Sequence, residues 1–432
     1  MSLVTVYSPR KSARLTYVLN WLLTDVLNLD YRLTDNENEL LNLDCFLAYG
    51  KQFEGSISIP DCGLLWEDNI TEHEVLTGEW KKTPTLYPAS SDYSVPFDFF
   101  SAIFFLITRY EEYFPHTPDK HGRYPAQLSL LYQHGFLKRP LVDEWIFEFY
   151  SLLKENKINA YLNSFSYQPT YDIDIAYSYK HKGFVRTLGA VTKDILQGNF
   201  KNLKSRMSVM QEKHTDPYDA FDWLQETHKA LHLAPRYFVL ASLKVTPFDK
   251  NISPLHPKMQ KLIRGFAHEG SIGLHPSYFS TEEKIFFEEK ATLENITQQI
   301  IHHSRQHYIR LCLPKTYQQL LERGILEDWS MGYGSLLGFR AGTGRSFFWY
   351  DLKNEMPTEL KIHPFCFMDS TAHFEEKLSQ DAAFKVLQEM KFILEKTQST
   401  LVTVFHNFSL GSDPQWNGWK EAYSNFLKSL RK

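Results

Sequence analysis

The sequence predicts an α/β chain: an irregular (β/α) barrel of about seven strands over residues 166–432, preceded by a smaller α+β N-terminal domain over residues 1–165. Three observations predict it. Beyond residue 166, short apolar runs alternate with amphipathic helical stretches, as the strand–helix units of a parallel sheet do. Runs such as Tyr237-Phe238-Val239-Leu240 are apolar throughout, like strands covered on both faces. A chain of 432 residues also exceeds one ordinary core, so two domains are expected.

In the first third, Leu3-Val4-Thr5-Val6-Tyr7 reads as a strand, and residues 12–27 as a helix with Leu15, Val18, Leu19, Leu22 and Val26 on one stripe. Residues 46–50 and 56–60 read as strands ending in turn residues. Residues 97–113 and 141–153 suit helices. The loop between them carries His116, His121 and Arg123, which either touch a ligand or sit on an exposed connection. The junction falls within residues 154–168.

The remaining chain supplies the barrel. Asp216 is placed as an N-cap, with Pro217 opening a helix that carries Phe221, Leu224 and Leu231. Helices are expected at 259–268, from a Ser280–Glu283 capping box, at 314–323, between 374 and 394, and at 416–430. Strands are expected at 271–275, 306–311, 325–329, 361–366 and 401–406.

Charge and composition exclude some functions. The net charge of −4, with no long basic run, argues against a nucleic-acid scaffold. Four scattered cysteines indicate neither a disulfide framework nor a thiolate zinc site. No stretch is long and apolar enough to span a bilayer and no leader is evident, so a cytoplasmic location is expected.

The chemistry is concentrated around Thr170-Tyr171-Asp172-Ile173-Asp174. Strand side chains alternate faces, so both carboxylates point the same way. They are either two solvated charges on an edge strand or a buried pair that needs a cation, a shared proton or an arginine. Downstream, polar residues recur at the C-terminal ends of strands: His275, Arg305 or His307, Asp328 and His406. That end of a barrel is where active sites are built.

These residues, together with Ile272-Gly273-Leu274-His275-Pro276-Ser277, Arg305-Gln306-His307-Tyr308, residues 324–330, residues 338–343 and Val404-Phe405-His406, resemble the motifs of NodB-homology polysaccharide deacetylases. That family is carbohydrate esterase family four; more narrowly, the chain resembles a bacterial branch of it with an extra N-terminal domain. The resemblance implies that Asp172 is the general base and Asp174 a metal ligand. It implies that His275 is a second ligand, that Arg305 orients the base, and that His406 is the acid partnered by Asp328.

The family's second metal histidine would fall at Phe279, a departure that leaves two side-chain ligands. His307 either supplies the missing imidazole or is a packed histidine. Arg310 and Arg340 rival Arg305. Arg340 either meets a substrate anion or satisfies loop carbonyls. Tyr308, Trp329 and Ser277 are further candidates for substrate contact. The resemblance implies a divalent ion, with zinc suited to imidazole and carboxylate ligands. The implied reaction is removal of acetyl groups from a carbohydrate or small acylated substrate. A metal-independent hydrolase of non-peptide C–N bonds and a degenerate glycan-binding domain are the alternatives.

Overall fold

The computed structural model describes residues 2–431. Its first sheet is four-stranded and parallel, with β1 (Ser2–Tyr7), β2 (Leu29–Thr34), β3 (Phe46–Tyr49) and β4 (Ser56–Ile59) in the order β2-β1-β3-β4. A hairpin follows, β5 (Thr77–Trp80) and β6 (Thr83–Leu86). The second sheet holds β7 (Ser166–Ile173), β8 (Arg236–Leu240), β9 (Ser271–His275), β10 (His303–Ser304), β11 (Glu327–Asp328), β12 (Phe347–Asp351), β13 (Met356–Ile362), β14 (Phe367–Met368) and β15 (Thr400–His406). Their order is β12-β13-β11-β10-β9-β8-β7-β15-β14. All pairs are parallel except β12 with β13.

The expected barrel is therefore corrected to an open, nine-stranded mixed sheet. Among the described residues no ladder joins β14 to β12. β14 is only two residues long and β12 runs antiparallel, so neither edge offers a parallel partner. Residues 330–345 cross the gap instead: the Gly338 N–H donates to the Cys366 carbonyl, and the Phe365 N–H to that of Met331.

Other expectations shift locally. The helix of residues 97–113 is Phe99–Ile107 followed by a 3-10 turn, because Arg109 takes a positive φ of 56°. Asp216 caps no helix; it accepts N–H groups of Ser178, Tyr179, Lys180 and Tyr218, and the helix starts at Phe221. The helix after Ser280 starts at Glu283, and the Ser280 hydroxyl donates to the Ser277 carbonyl rather than forming the box. Residues 307–309 form a tight turn with Tyr308 at φ 57°, and the strand lies earlier, at β10.

The two faces of the large sheet differ. Tyr171 points to the helices, where its hydroxyl lies 2.7 Å from His228 Nε2 and 2.7 Å from the Tyr423 hydroxyl. Period-two alternation then puts Asp172 on the opposite face. That face carries its own apolar cluster, including Phe238, Trp329, Phe365, Met368 and Val404. Gly273 makes room for it: a Cβ there would sit 2.6 Å from the Phe238 ring.

The first third of the chain packs directly on this sheet, and one continuous apolar core runs through both. The buried Arg14 pairs with Glu355 at 2.5 Å. Phe339 N–H donates to the Leu137 carbonyl. Arg340 is fully buried and grips Glu112 with two bonds, Nε–Oε1 at 2.8 Å and Nη2–Oε2 at 2.5 Å. This corrects its placement as a substrate ligand, because its guanidinium is already taken up by Glu112 and by the Gly332 carbonyl, to which Nη1 donates at 3.1 Å.

Candidate active site

Strand ends place the functional side chains. Asp172 and His406 are register partners at the ends of β7 and β15, and His275 closes β9. Asp174 lies one step past β7 on the same face as Asp172. Arg305 follows β10 and is fully buried. Its Nη1 donates to Asp172 Oδ1 at 2.8 Å and its Nε to the Trp329 carbonyl. The guanidinium also stacks on Phe238 at 4.4 Å, which fixes its plane.

Asp174, His275 and His307 converge, with their ligand atoms all within 4.8 Å of one another. His275 Nε2 is 3.1 Å from Asp174 Oδ1, and His307 Nε2 is 3.6 Å from Oδ2. His406 Nε2 approaches the same Oδ2 at 3.5 Å from the other side. Each ring spends its Nδ1 elsewhere: His275 on the Arg305 carbonyl (2.6 Å), His307 on Asp249 (3.1 Å) and His406 on Asp369 (2.6 Å). Those partners can only accept, so Nδ1 carries the proton in each ring. In the neutral imidazole, Nε2 then presents a lone pair toward Asp174.

Three lone pairs facing one carboxylate require positive charge between them. Protons supply it in part. Burial pushes His307 down, but Asp174 and Asp249 outweigh it and raise the group to about 9. Burial likewise opposes His406, and Asp369 with Asp174 carries it well above an ordinary histidine. Burial would raise Asp174, yet His307 and His275 hold it well below the usual carboxylate range. Asp174 Oδ1 is still buried without a hydrogen-bond donor. An orphaned carboxylate oxygen beside two oriented imidazoles fits a divalent cation.

The expected residues do not all meet here. Asp172, Asp174, His275, His307, Tyr308 and His406 line one cleft of about 460 Å³, with Arg305 packed behind Asp172. Phe279, where the resemblance would put a second histidine, is half exposed and packs on Phe248 and Tyr278; His307 instead joins Asp174 and His275. Asp328 is not the partner of His406. It sits in register with Ser304 and Ile362, which places it on the face opposite Asp172, and there it accepts from Ser330. Its burial raises it to about 6, against the Ser330 bonds. Asp369, directly after β14, holds His406 through both the ring and the backbone N–H.

Trp329 stacks flat on His363 at 3.9 Å and does not line the cleft. Ser277 does not line it either; it lines a separate small cavity, and its N–H donates to the buried Glu289. Residues absent from the sequence reading are Asp249, Asp369 and the rim residues Lys120, Phe374 and Phe408. Asp369 follows an apolar pair at a strand end, the same signal that marked His275 and His406. Asp249 lies in a loop with no such mark. His121 and Arg123 do reach the cleft. Arg123 Nη1 donates to the Tyr308 carbonyl, and Arg310 Nε to that of His121.

Comparison with known proteins adds the following. Residues 4–158 match a family of unknown function, DUF7033. No curated protein matches the chain. Among solved structures, the chain is similar to a putative polysaccharide deacetylase from Mycobacterium smegmatis, at 14% identity and TM-score 0.39, over 62% of this chain and 84% of that one. A probable polysaccharide deacetylase from Pseudomonas aeruginosa PAO1 shows 13% identity and TM-score 0.39, over 61% and 84%. The Puue allantoinase shows 12% identity and TM-score 0.39, over 62% and 84%. Likeness at this level assigns neither activity nor substrate. No helix among the described residues is long and apolar enough to cross a membrane.

Proposed function

We propose that the chain is a NodB-type hydrolase that removes N- or O-acetyl groups from a carbohydrate, with residues 166–432 as the catalytic unit and residues 1–165 as an accessory domain that completes its cleft. The observation that carries this reading is the convergence of Asp174, His275 and His307 on one point, flanked by an aspartate–arginine pair and an aspartate–histidine pair. A divalent ion on the three ligands would supply Lewis acidity, polarising an acyl carbonyl and lowering the pKa of water.

The chain's own residues would do the rest. Asp172 takes the proton of the attacking water at Oδ2, the oxygen that Arg305 Nη1 leaves open. His406, oriented through Nδ1 by Asp369, carries a proton on Nε2 and delivers it to the leaving nitrogen or oxygen. Tyr308, Phe374 and Phe408 give the cleft flat apolar walls suited to a sugar face. The convergence of His307 with Asp174 and His275 supports a three-ligand site and favours this reading over a metal-free mechanism.

The test is metal content and acetate release from acetylated amino sugars, in wild type, Asp174→Ala and His275→Ala. Both signals should fall together in the variants. Full acetate release without bound metal, or equal activity in all three, would sink the proposal.

A further inference from the structure

Between β7 and β8 the chain forms two helices, Phe184–Leu196 and Phe200–Met210. An amphipathic helix of a globular protein turns its apolar stripe to the core. The first of these helices is reversed. Phe184, Val185, Leu188, Ile195 and Leu196 are all more than half exposed. Its polar side faces inward instead. Asp194 is buried, pairs with Arg206 of the second helix at 2.9 Å and accepts from Asn202 at 2.7 Å. Phe200 and Met207 extend the outward stripe along the second helix, and Val245 and Leu255 continue it on the loop after β8.

The charge of this element is equally distinct. Residues 180–213 hold eight Lys and Arg against Asp194 and Glu212, a net charge of +6 within a chain of net −4. Lys201 and Lys204 are exposed beside Phe200 and Met207. The loops that carry the patch follow the C-terminal ends of β7 and β8, the same end of the sheet as the catalytic cleft.

We infer that this helical hairpin is a peripheral anchor for an anionic lipid bilayer. Exposed large apolar side chains interleaved with lysine and arginine are what an interfacial helix presents: the apolar stripe enters the acyl boundary and the cations meet lipid phosphates. A helix of 13 residues lies in that plane and does not cross it. A second copy of the chain is the poorer occupant, since a two-fold contact would bring two segments of net charge +6 together. The anchor stands independently of the hydrolytic site. It would hold the cleft close to the bilayer surface.

The full chain is mixed with vesicles of phosphatidylglycerol and phosphatidylcholine, or of phosphatidylcholine alone, and the bound fraction is read by sedimentation. Binding is expected to the anionic vesicles and to weaken with salt. Phe184→Ser/Leu188→Ser/Leu196→Ser should lower partitioning about tenfold or more. Lys201→Glu/Lys204→Glu should weaken binding to anionic vesicles while circular dichroism stays that of wild type. No sedimentation of wild type with anionic vesicles would overturn the inference. So would equal binding by the triple variant, or a dimer in light scattering that the triple variant dissolves.

Discussion

Two carboxylate–histidine clusters lie on the same face of the large sheet. Asp174 meets His275, His307 and His406 at the strand ends. Glu327, on β11 further along the same face, meets His303 and His363, each at 3.1 Å from Oε2. The residue types match, but the arrangement does not. In the first cluster each histidine commits Nδ1 to an outside acceptor and turns Nε2 to the carboxylate, so that nitrogen is free to hold a proton or an ion. In the second, Arg236 stands 3.8 Å from the same Glu327 oxygen and stacks over Trp329, so a permanent cation is already present. Burial opposes ionisation of Glu327, yet His303 and His363 hold it far below the usual carboxylate range. A cluster with its own arginine is a structural tie. A cluster with Nε2 atoms turned inward and no arginine on its carboxylate has room for an ion. Composition alone does not separate them; the direction of each ring nitrogen does.

The sharpest way to break this contrast is metal retention. Asp174→Asn should reduce bound metal to background and activity by about 10²–10⁴-fold, while Glu327→Gln keeps full metal content. Loss of metal from Glu327→Gln would erase the distinction. Next in size is the proposed acid, His406. Asp369→Asn removes the group that orients His406 and should cost about 10²-fold in kcat, against a few-fold at most for Asp328→Asn. A reversed ranking would restore Asp328 as the partner.

Glu327→Gln is expected to cost about 2 kcal/mol of stability in urea unfolding, because Arg236 then loses its counter-charge. An unchanged midpoint would show that the second cluster is no tie at all. The smallest effect concerns Glu289, behind the first cluster, which burial raises from 4.5 to about 7. The folded state binds this proton more tightly, so its contribution to stability is full below pH 4.5 and declines as pH rises toward 7. Glu289→Gln should flatten that decline in thermal unfolding across the same window; a parallel decline would place the proton elsewhere.

Much of the site was legible because strand periodicity is local. The alternation in residues 170–174 put two carboxylates on one face, and His275 and His406 ended clear apolar runs. Asp328 was misplaced because position along a strand says where a residue stands but not which face it takes, and one residue of register reverses the face. His307 was ambiguous since it lies in a turn with two positive-φ residues, Tyr308 and Ile309, that no periodic pattern marks. Closure of the barrel was over-read from counting units, because the antiparallel β12 leaves no trace in unit spacing. The helices of residues 184–210 were missed for a physical reason as well: their apolar stripe packs against no core.

The buried Glu112–Arg340 pair and the rim loop held by Arg123 and Arg310 bear on how the protein can be dissected. A fragment starting near residue 166 would strand a guanidinium in an apolar wall and strip Lys120, His121 and Arg123 from the mouth. The first third is thus not a detachable appendage. Transplanting residues 166–432 into another scaffold would require carrying residues 109–124 with them.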